Sequence, residues 1–436
     1  MFEHAQKAIE LAEKLGADEA EVYISYNHSI SADIRKTIIE SAKENVSQGI
    51  GIRSIINGAV GFASTNNVSR IEDIVNISVS SAKVRDSDPE WTSLPSNAKY
   101  PEVSGTYDKR ISEIGLDDCI GLTGKMIEGA LSVPDVNTTS GSFSTSCNKH
   151  LIMNTNGVEI VDEGTGVSGF VDVITTKGDI STAYDFEVSR SLDIDVFGIG
   201  ASASSLAIRS QNGISIEPKK TNVILHPFAF SDIFENTFEP SIDADNMQKE
   251  RSSLIGKKGE TIATPDLNII DDGLLEGGID TSISDEEGTP SQRTPIIENG
   301  IFKSFLYDNY TAGKDNTSST GNGMRHSYVS TPSVGPRNLL VEYPSSDVIA
   351  DTDEGVFINT VIGAHTANAI SGDFSVEARN AFTIKDGQLD KPIKSLMLSG
   401  NIFEMLNKIT GAGSDVRKVG GTVVPSLRIA EMSIVG

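Results

Sequence analysis

The sequence of 436 residues has few of the residues from which disulfide frameworks, histidine metal sites and nucleic-acid surfaces are built. Its two cysteines, Cys119 and Cys147, form no CxxC pair, which argues against a disulfide framework and favours a reducing compartment. Its 36 lysines and arginines are outnumbered by 61 acidic residues, so the net charge is −25. Such a chain is poorly suited to bind phosphate backbones or anionic lipid, and we expect no nucleic-acid or membrane partner.

Long apolar runs are also lacking. The most membrane-like stretch, VFGIGASASSLAI at 196–208, is far shorter than the ~20 apolar residues that a membrane span requires. The first residues, MFEHAQKAIELAEKLG, contain neither a basic segment nor an uninterrupted apolar core, so they do not resemble a signal peptide. We therefore expect a cytoplasmic protein.

Hydrophobic periodicity predicts an α+β fold. An apolar stripe predicts a helix over 2–15, and another helix is expected to begin at the capping box formed by Ser69 and Glu72. Between them, GIGIRSIINGAVGFAST predicts a hairpin that turns at Asn57-Gly58. Further elements are predicted as helices near 113–132 and 195–210, strands through about 178 with a turn at Asn156-Gly157, a strand at NVILHP, and a short helix over 228–239.

These elements divide the chain into two predicted domains. Residues 1–213 form the N-terminal α+β domain, in which a polar loop with three prolines joins segments 1–84 and 107–213. Residues 220–436 form a β-rich domain of mostly antiparallel strands.

The predicted short helix contains DIFENTFEP at 232–240, which places Glu235 and Glu239 on one helical face. Such a pair is half of a metal site, an acid/base pair, or an exposed acidic helix end. We favour the last, because Pro240 is expected to end the helix and no two of the six histidines lie within one helical turn. No GxSxG or phosphate-loop motif offers another chemistry.

Two Gly-rich segments are stronger candidates for a ligand site. They are SDEEGTPSQRTPIIENGIF at 284–302 and STGNGMRHSY at 319–328, and Gly-rich turns let the backbone approach a ligand. We predict that Arg325 pairs with an acidic group such as Asp285 or Glu286; the alternative is hairpin turns with a purely structural Arg–carboxylate pair. The candidate cavity residues are Arg293, Gly321, Asn322, Gly323 and Arg325.

Several segments, taken in order, resemble the TldD/PmbA (TldD/TldE) family of peptidase subunits. They are GIGIRSIINGAVGFAS, NTNGVEIVDEGTGVS, DEEGTPSQRT, ENGIF, TGNGMR and SGDFS…DKPIKSLMLSGNIFEMLNKI, which together span nearly the whole chain. The resemblance implies an N-terminal α/β domain, a β-rich C-terminal domain, and a cavity formed between subunits.

In that family, the TldD-type subunit holds zinc with an HExxxH helix and a late cysteine. At the corresponding positions this sequence has Glu235 for the first histidine, Asn236 for the catalytic glutamate and Pro240 for the second histidine. No cysteine follows Cys147, and the closing stretch at 416–428 reads VRKVGGTVVPSLR. The resemblance is therefore to the PmbA/TldE-type subunit, which lacks the zinc motif.

The sequence thus predicts a non-catalytic subunit of a heteromeric metallopeptidase that degrades or processes small, unfolded polypeptides. No metal or other cofactor is expected in this chain, and zinc is expected in a TldD-like HExxxH partner. Two alternatives stay open. One is a stand-alone hydrolase that uses Glu235, Glu239 and a distant histidine as unconventional ligands, and the other is a non-enzymatic homodimer that binds peptides.

Overall fold

The computed structural model describes residues 1–436. The N-terminal half contains an antiparallel sheet with helices on one face only. The six strands lie in the order β3-β2-β1-β4-β5-β6. Their bounds are β1 (Glu19–Arg35), β2 (Ile38–Ile56), β3 (Ala59–Thr65), β4 (Val136–Asn154), β5 (Glu159–Thr175) and β6 (Thr182–Ser189).

Five helices accompany this sheet. They are α1 (Phe2–Lys14), α2 (Ile71–Val84), α3 (Lys109–Ser112), α4 (Leu116–Leu131) and α5 (Val196–Arg209). On β1, Val22 packs in a core with α1 and α2, and Ala32 packs in a core with α4 and α5. Since alternate residues of a strand share a face, both helix pairs cover the same side of the sheet. The opposite side, which carries Glu21 and Tyr23, faces the C-terminal half of the chain.

The predicted helices and the Asn57-Gly58 hairpin are present, with two corrections at helix starts. The Ser69–Glu72 capping box does not form: the Asn67 side chain accepts the Ser69 N–H at 3.0 Å. The helix predicted at 113–132 begins only at Leu116, after Gly115, whose N–H donates to the Asp118 carboxylate at 3.0 Å. Competing local side-chain caps explain both differences.

The proline-containing loop forms neither helix nor strand between residues 85 and 108, as predicted. It crosses from the N-terminal sheet to the C-terminal half, where the Tyr310 hydroxyl donates to Asp88 at 2.7 Å and the Tyr100 hydroxyl donates to the Gly288 carbonyl at 3.0 Å. Trp91 donates to Glu19 on β1 at 2.9 Å. The loop therefore fastens the two halves to each other.

The remaining elements build the β-rich half. The helices are α6 (Pro227–Thr237), α7 (Glu239–Ile242), α8 (Ala244–Gln248), α9 (Asn309–Lys314) and α10 (Ile402–Leu406). The strands are β7 (Lys219–Leu225), β8 (Asn268–Asp272), β9 (Arg293–Glu298), β10 (Ile301–Phe302), β11 (Gly323–Met324), β12 (Ser333–Val334), β13 (Leu339–Glu342), β14 (Glu354–Ile362), β15 (Asp373–Lys385), β16 (Gln388–Pro392), β17 (Leu396–Asn401), β18 (Ile409–Ala412), β19 (Arg417–Val419), β20 (Thr422–Val424) and β21 (Leu427–Val435).

Five of these strands pair in a closed ring, β14-β7-β21-β17-β15, because β15 pairs with β14. A second sheet has the order β10-β9-β8-β13-β20-β19. Only the β14–β7 and β13–β20 pairs are parallel, so the predicted mostly antiparallel α+β architecture is confirmed. A core of 42 buried residues fills this half. None of the helices is both long and apolar enough to cross a membrane. The division into domains at residues 213–220 stays a prediction.

The packing of α4 on α5 generates a stability prediction. A Cβ at Gly200 would lie 2.2 Å from the Met126 carbonyl oxygen, whereas a Cβ at Gly121, on the exposed side of α4, would meet nothing. We expect Gly200→Ala to lower the free energy of unfolding by about 1–3 kcal/mol through overpacking. Gly121→Ala should raise it by about 0.5–1 kcal/mol, because alanine is the better helix former. Chemical denaturation measures both, and equal effects would contradict the packing described.

Candidate functional site

Buried aromatic rings fix the position of α6. Phe230, Phe234 and Phe238 recur every four residues, are fully buried, and stack with centroid separations of 5.2 and 4.8 Å. His226 caps the helix through Nδ1, and Pro227 occupies the first helical position, where no backbone donor is needed. One face of α6 is therefore used for packing, and any functional side chains must lie on its other face.

That other face lacks the donors of a zinc site. Glu235 is exposed, and the Asn236 side-chain amide donates to the Asp232 carbonyl at 2.8 Å within the same helix. Nowhere in the chain do three or more His, Cys, Asp or Glu side chains form a group that could hold a metal ion. Because hydrolytic zinc needs three such ligands and an open position, the residues of α6 do not fit it.

The expectation that Pro240 ends the helix was wrong. α6 ends at Thr237, and Pro240 lies in the first turn of α7, where proline is compatible with helix. Glu239 is half-buried, so the predicted exposed acidic helix end describes Glu235 alone. Burial, together with the nearby Glu235, raises the pKa of Glu239 to about 7.

The closing stretch at 416–428 does lie against this region. The Thr422 hydroxyl on β20 donates to the Glu239 carboxylate at 3.5 Å. The two segments that the family resemblance assigns to the zinc site therefore meet, but they meet as a hydroxyl and a carboxylate rather than as metal ligands.

The Gly-rich segment at 319–325 is built around buried hydrogen bonds. The Asn322 amide donates to the Asp271 carboxylate at 2.8 Å, and the Gly323 N–H donates to Asp285 at 2.9 Å. A Cβ at Gly323 would lie 2.6 Å from a Glu287 carboxylate oxygen, and Gly321 has a positive φ of 73°. Glycine is needed at both positions for these reasons.

Arg325 pairs with an acidic group, as predicted, but the group is neither Asp285 nor Glu286. Its side chain forms an ion pair with Glu21 on β1, whereas Glu286 accepts its backbone N–H and Asp285 is bound elsewhere. Glu21 is also paired with Arg53 at 2.9 Å. Sequence patterns do not reveal a pair separated by 304 positions.

Arg53 extends this pair into a buried network. It contacts Glu287 at 3.1 Å and lies over the Trp91 ring at 5.6 Å. Glu21 and Glu287 are each 1 % exposed. Burial raises the pKa of Glu287 to about 8, although Arg53 acts to lower it. Two residues of the N-terminal sheet are thereby joined to two of the C-terminal loops; we call Glu21, Arg53, Glu287 and Arg325 the interdomain charge network.

An interdomain cleft of about 510 Å³ lies beside this network, between the polar face of the N-terminal sheet and the C-terminal loops. Arg325 lines it together with Tyr23, Ser25, His150, Glu286 and Tyr328. Gly321, Asn322 and Gly323 are not among its lining residues. Arg293 lies on the surface, where it is 54 % exposed and contacts Asp272 at 3.4 Å.

Tyr23 and His150, which line this cleft, were not among the candidates from the sequence. The Tyr23 hydroxyl donates to Glu286 at 3.1 Å, and the Tyr23 ring stacks on His150 at 5.8 Å. Small polar residues alternate along β1 and β4, namely Ser25, Asn27, Ser144, Ser146 and Asn148. This alternation was the available signal, because it marks one face of a sheet that is not packed by helices.

Comparison with known proteins identifies the fold. A family model described as "PmbA/TldA metallopeptidase C-terminal domain" matches residues 218–436, and the models of the first and central domains match 20–82 and 109–211. The chain belongs to the PmbA/TldD metallopeptidase family. An uncharacterized protein of Methanocaldococcus jannaschii is 34 % identical over 97 % of both chains.

Two further relatives place the chain within the PmbA/TldD family. A metalloprotease of Methanocaldococcus jannaschii is 25 % identical over 91 % of this chain and 90 % of its own. The crystal structure of TldE from Thermococcus kodakarensis superposes with a TM-score of 0.94 at 26 % identity, covering 99 % of this chain and 100 % of that chain.

From the interdomain charge network we predict that replacing Arg325 lowers the free energy of unfolding much more than replacing Arg293. Arg325→Ala leaves Glu21 with one fewer partner in a buried site, and we expect unfolding free energy to fall by about 3–5 kcal/mol. Arg293→Ala removes an exposed ion pair and should change it by no more than about 0.5 kcal/mol. Urea unfolding of both variants measures this difference. Similar losses for the two would contradict the assignment.

Glu239 predicts a pH dependence of stability. Its pKa rises from an ordinary 4.5 to about 7 in the folded chain. Between pH 4.5 and about 7, the folded chain therefore holds a proton on Glu239 that the unfolded chain has lost. The stabilisation is complete below about pH 4.5 and is lost as pH rises through about 7. We expect Tm to fall from about pH 6 to about pH 8, and to fall less in Glu239→Gln. Glu404→Gln, at a position 74 % exposed, should retain the wild-type slope. Equal slopes in all three proteins would be the contrary result.

Proposed function

We propose that this chain is the non-catalytic subunit of a heteromeric zinc peptidase that acts on small or unfolded polypeptides in the cytoplasm. Zinc and the general base belong to a TldD-like partner with an intact HExxxH helix. The single observation that carries this proposal is α6, which keeps its aromatic packing while Glu235, Asn236 and Pro240 occupy the positions of ligands and base.

The chemistry of these side chains supports a non-catalytic role. An amide does not accept a proton near neutral pH, so Asn236 cannot activate water. The Pro240 side chain has no atom that could bind a metal ion. The half-buried carboxylate of Glu239 accepts a hydrogen bond from Thr422. The structural likeness to a protein described as TldE agrees with this assignment.

An inert subunit still has physical uses in such an assembly. The interdomain cleft is lined mainly by polar and charged side chains, with 7 hydrophobic residues among 32, which suits an extended polypeptide of varied sequence. Closing a chamber around the partner's zinc would exclude folded proteins and leave access to flexible chains.

A paired assay tests this function. The lone chain, a lone TldD-like subunit from the same cell, and their mixture are each incubated with one unstructured peptide, with and without chelator. We expect no turnover by the lone chain and chelator-sensitive turnover by the mixture that exceeds that of the lone partner. Chelator-sensitive turnover by the lone chain would establish the stand-alone hydrolase, and no gain on mixing would favour the homodimeric peptide-binding protein.

A triple variant serves as the matched control. Glu235→His, Asn236→Glu and Pro240→His together restore the helix ligands and base, but the chain has no cysteine after Cys147. We therefore expect this variant to remain inactive alone, since the last ligand is missing.

A further inference from the structure

A second cleft, of about 420 Å³, lies on the other side of β6, between α5 and the start of α6. This volume is within the range of about 300–1,000 Å³ that small-molecule sites occupy. Tyr184, Asp185, Arg209, His226, Asn359 and Arg417 contribute its larger polar groups. We call it the α5 cleft.

His226 presents a fixed donor to the α5 cleft. Its Nδ1 accepts the Phe228 N–H at 3.3 Å, so its proton is on Nε2. Burial and the nearby Arg417 lower the pKa of His226 to about 4, which keeps the ring neutral at physiological pH. Nε2–H therefore offers one hydrogen bond to an acceptor.

Arg209 supplies an unpaired positive charge. Its guanidinium lies over the Phe382 ring at 5.2 Å and forms no ion pair. Phe382 is the cross-strand neighbour of Phe357, whose ring lies 6.2 Å from that of His226. The two aromatic rings thus bring Arg209 and His226 to one side of the cleft. The other guanidinium of the cleft, Arg417, is already paired with Asp185 at 3.0 Å.

Asn359 supplies the complementary acceptor. It follows Phe357 by two residues on β14 and therefore lies on the same face of the strand. It is 9 % exposed, and its Oδ1 has no hydrogen-bond partner. Leaving a buried amide oxygen unpaired costs about 1–3 kcal/mol, which a ligand N–H would offset.

We propose that the α5 cleft binds the carboxy-terminal residue of a peptide. The terminal carboxylate lies at Arg209 and His226 Nε2, and the peptide N–H donates to Asn359 Oδ1 once the amide turns this atom from its buried position toward the cleft. One wall is built of Gly198, Ala201, Ser202 and Ser205, whose small side chains let a peptide backbone approach α5 closely. Carboxylate and N–H on one ligand match the charge of Arg209 and the acceptor of Asn359.

The choice of a peptide as occupant rests on the proposed function, but the site is tested on the isolated chain without any partner. Failure here and failure of the mixing assay are therefore distinguishable. Isothermal titration calorimetry compares alanyl-alanine with alanyl-alanine amide. We expect saturable binding of the acid and binding of the amide weaker by about tenfold or more, because its terminus is uncharged.

Three variants test the assigned residues. Arg209→Met and Asn359→Leu should each weaken binding of alanyl-alanine by about tenfold. Asn359→Leu should leave Tm unchanged or higher, because it removes an unpaired buried polar group; a structural asparagine would lower it. Arg35→Met, which makes the same charge change at an exposed position of β1, should bind as the wild type does.

Four results would overturn the proposal. They are the absence of saturable binding by the wild type, equal binding of acid and amide, equal weakening by Arg35→Met and Arg209→Met, and displacement of alanyl-alanine by inorganic phosphate at similar concentration. The last would assign a general oxyanion site instead.

Discussion

The interdomain charge network is the interaction on which the arrangement of the two halves depends. Each of its four side chains is buried. Glu21 pairs with Arg325 from the C-terminal half and with Arg53 from its own half. Glu287 pairs with Arg53 from the N-terminal half. Removing such charges from water costs several kcal/mol per ion unless the partners are well placed. The network therefore tolerates little displacement of the sheet against the C-terminal loops, and it fixes the walls of the interdomain cleft.

In the region around α6, the residues that fix the helix are separate from the residues that face outward. The stacked phenylalanines and the His226 cap determine where the helix lies, and neither depends on the residues that face outward. At those outward positions, Asn236 donates within its own helix, Pro240 fits the first turn of α7, and Glu235 is exposed. Because packing and chemistry use different faces, the outward residues can change while the PmbA/TldD family fold is kept.

Periodicity predicted elements whose apolar faces repeat along a few turns or strand residues. The helix of α1, the Asn57-Gly58 hairpin and the mostly antiparallel C-terminal half all follow from local patterns. Local patterns did not predict the interruption of the helix between α6 and α7 or the burial of Glu239, since both depend on tertiary packing. Arg325 was a candidate cavity residue, but its partner Glu21 is too distant in sequence for any local pattern to indicate. Asn359 was missed because a single buried amide leaves no periodic signal.

The central claim is that this chain contributes no zinc ligands to its assembly. Elemental analysis after extensive dialysis, applied to the lone chain and to its complex with a TldD-like subunit, tests that claim most directly. We predict no tightly held zinc on the lone chain and one zinc per complex, because three protein donors are needed to retain the ion. One tightly held zinc per lone chain would contradict the account.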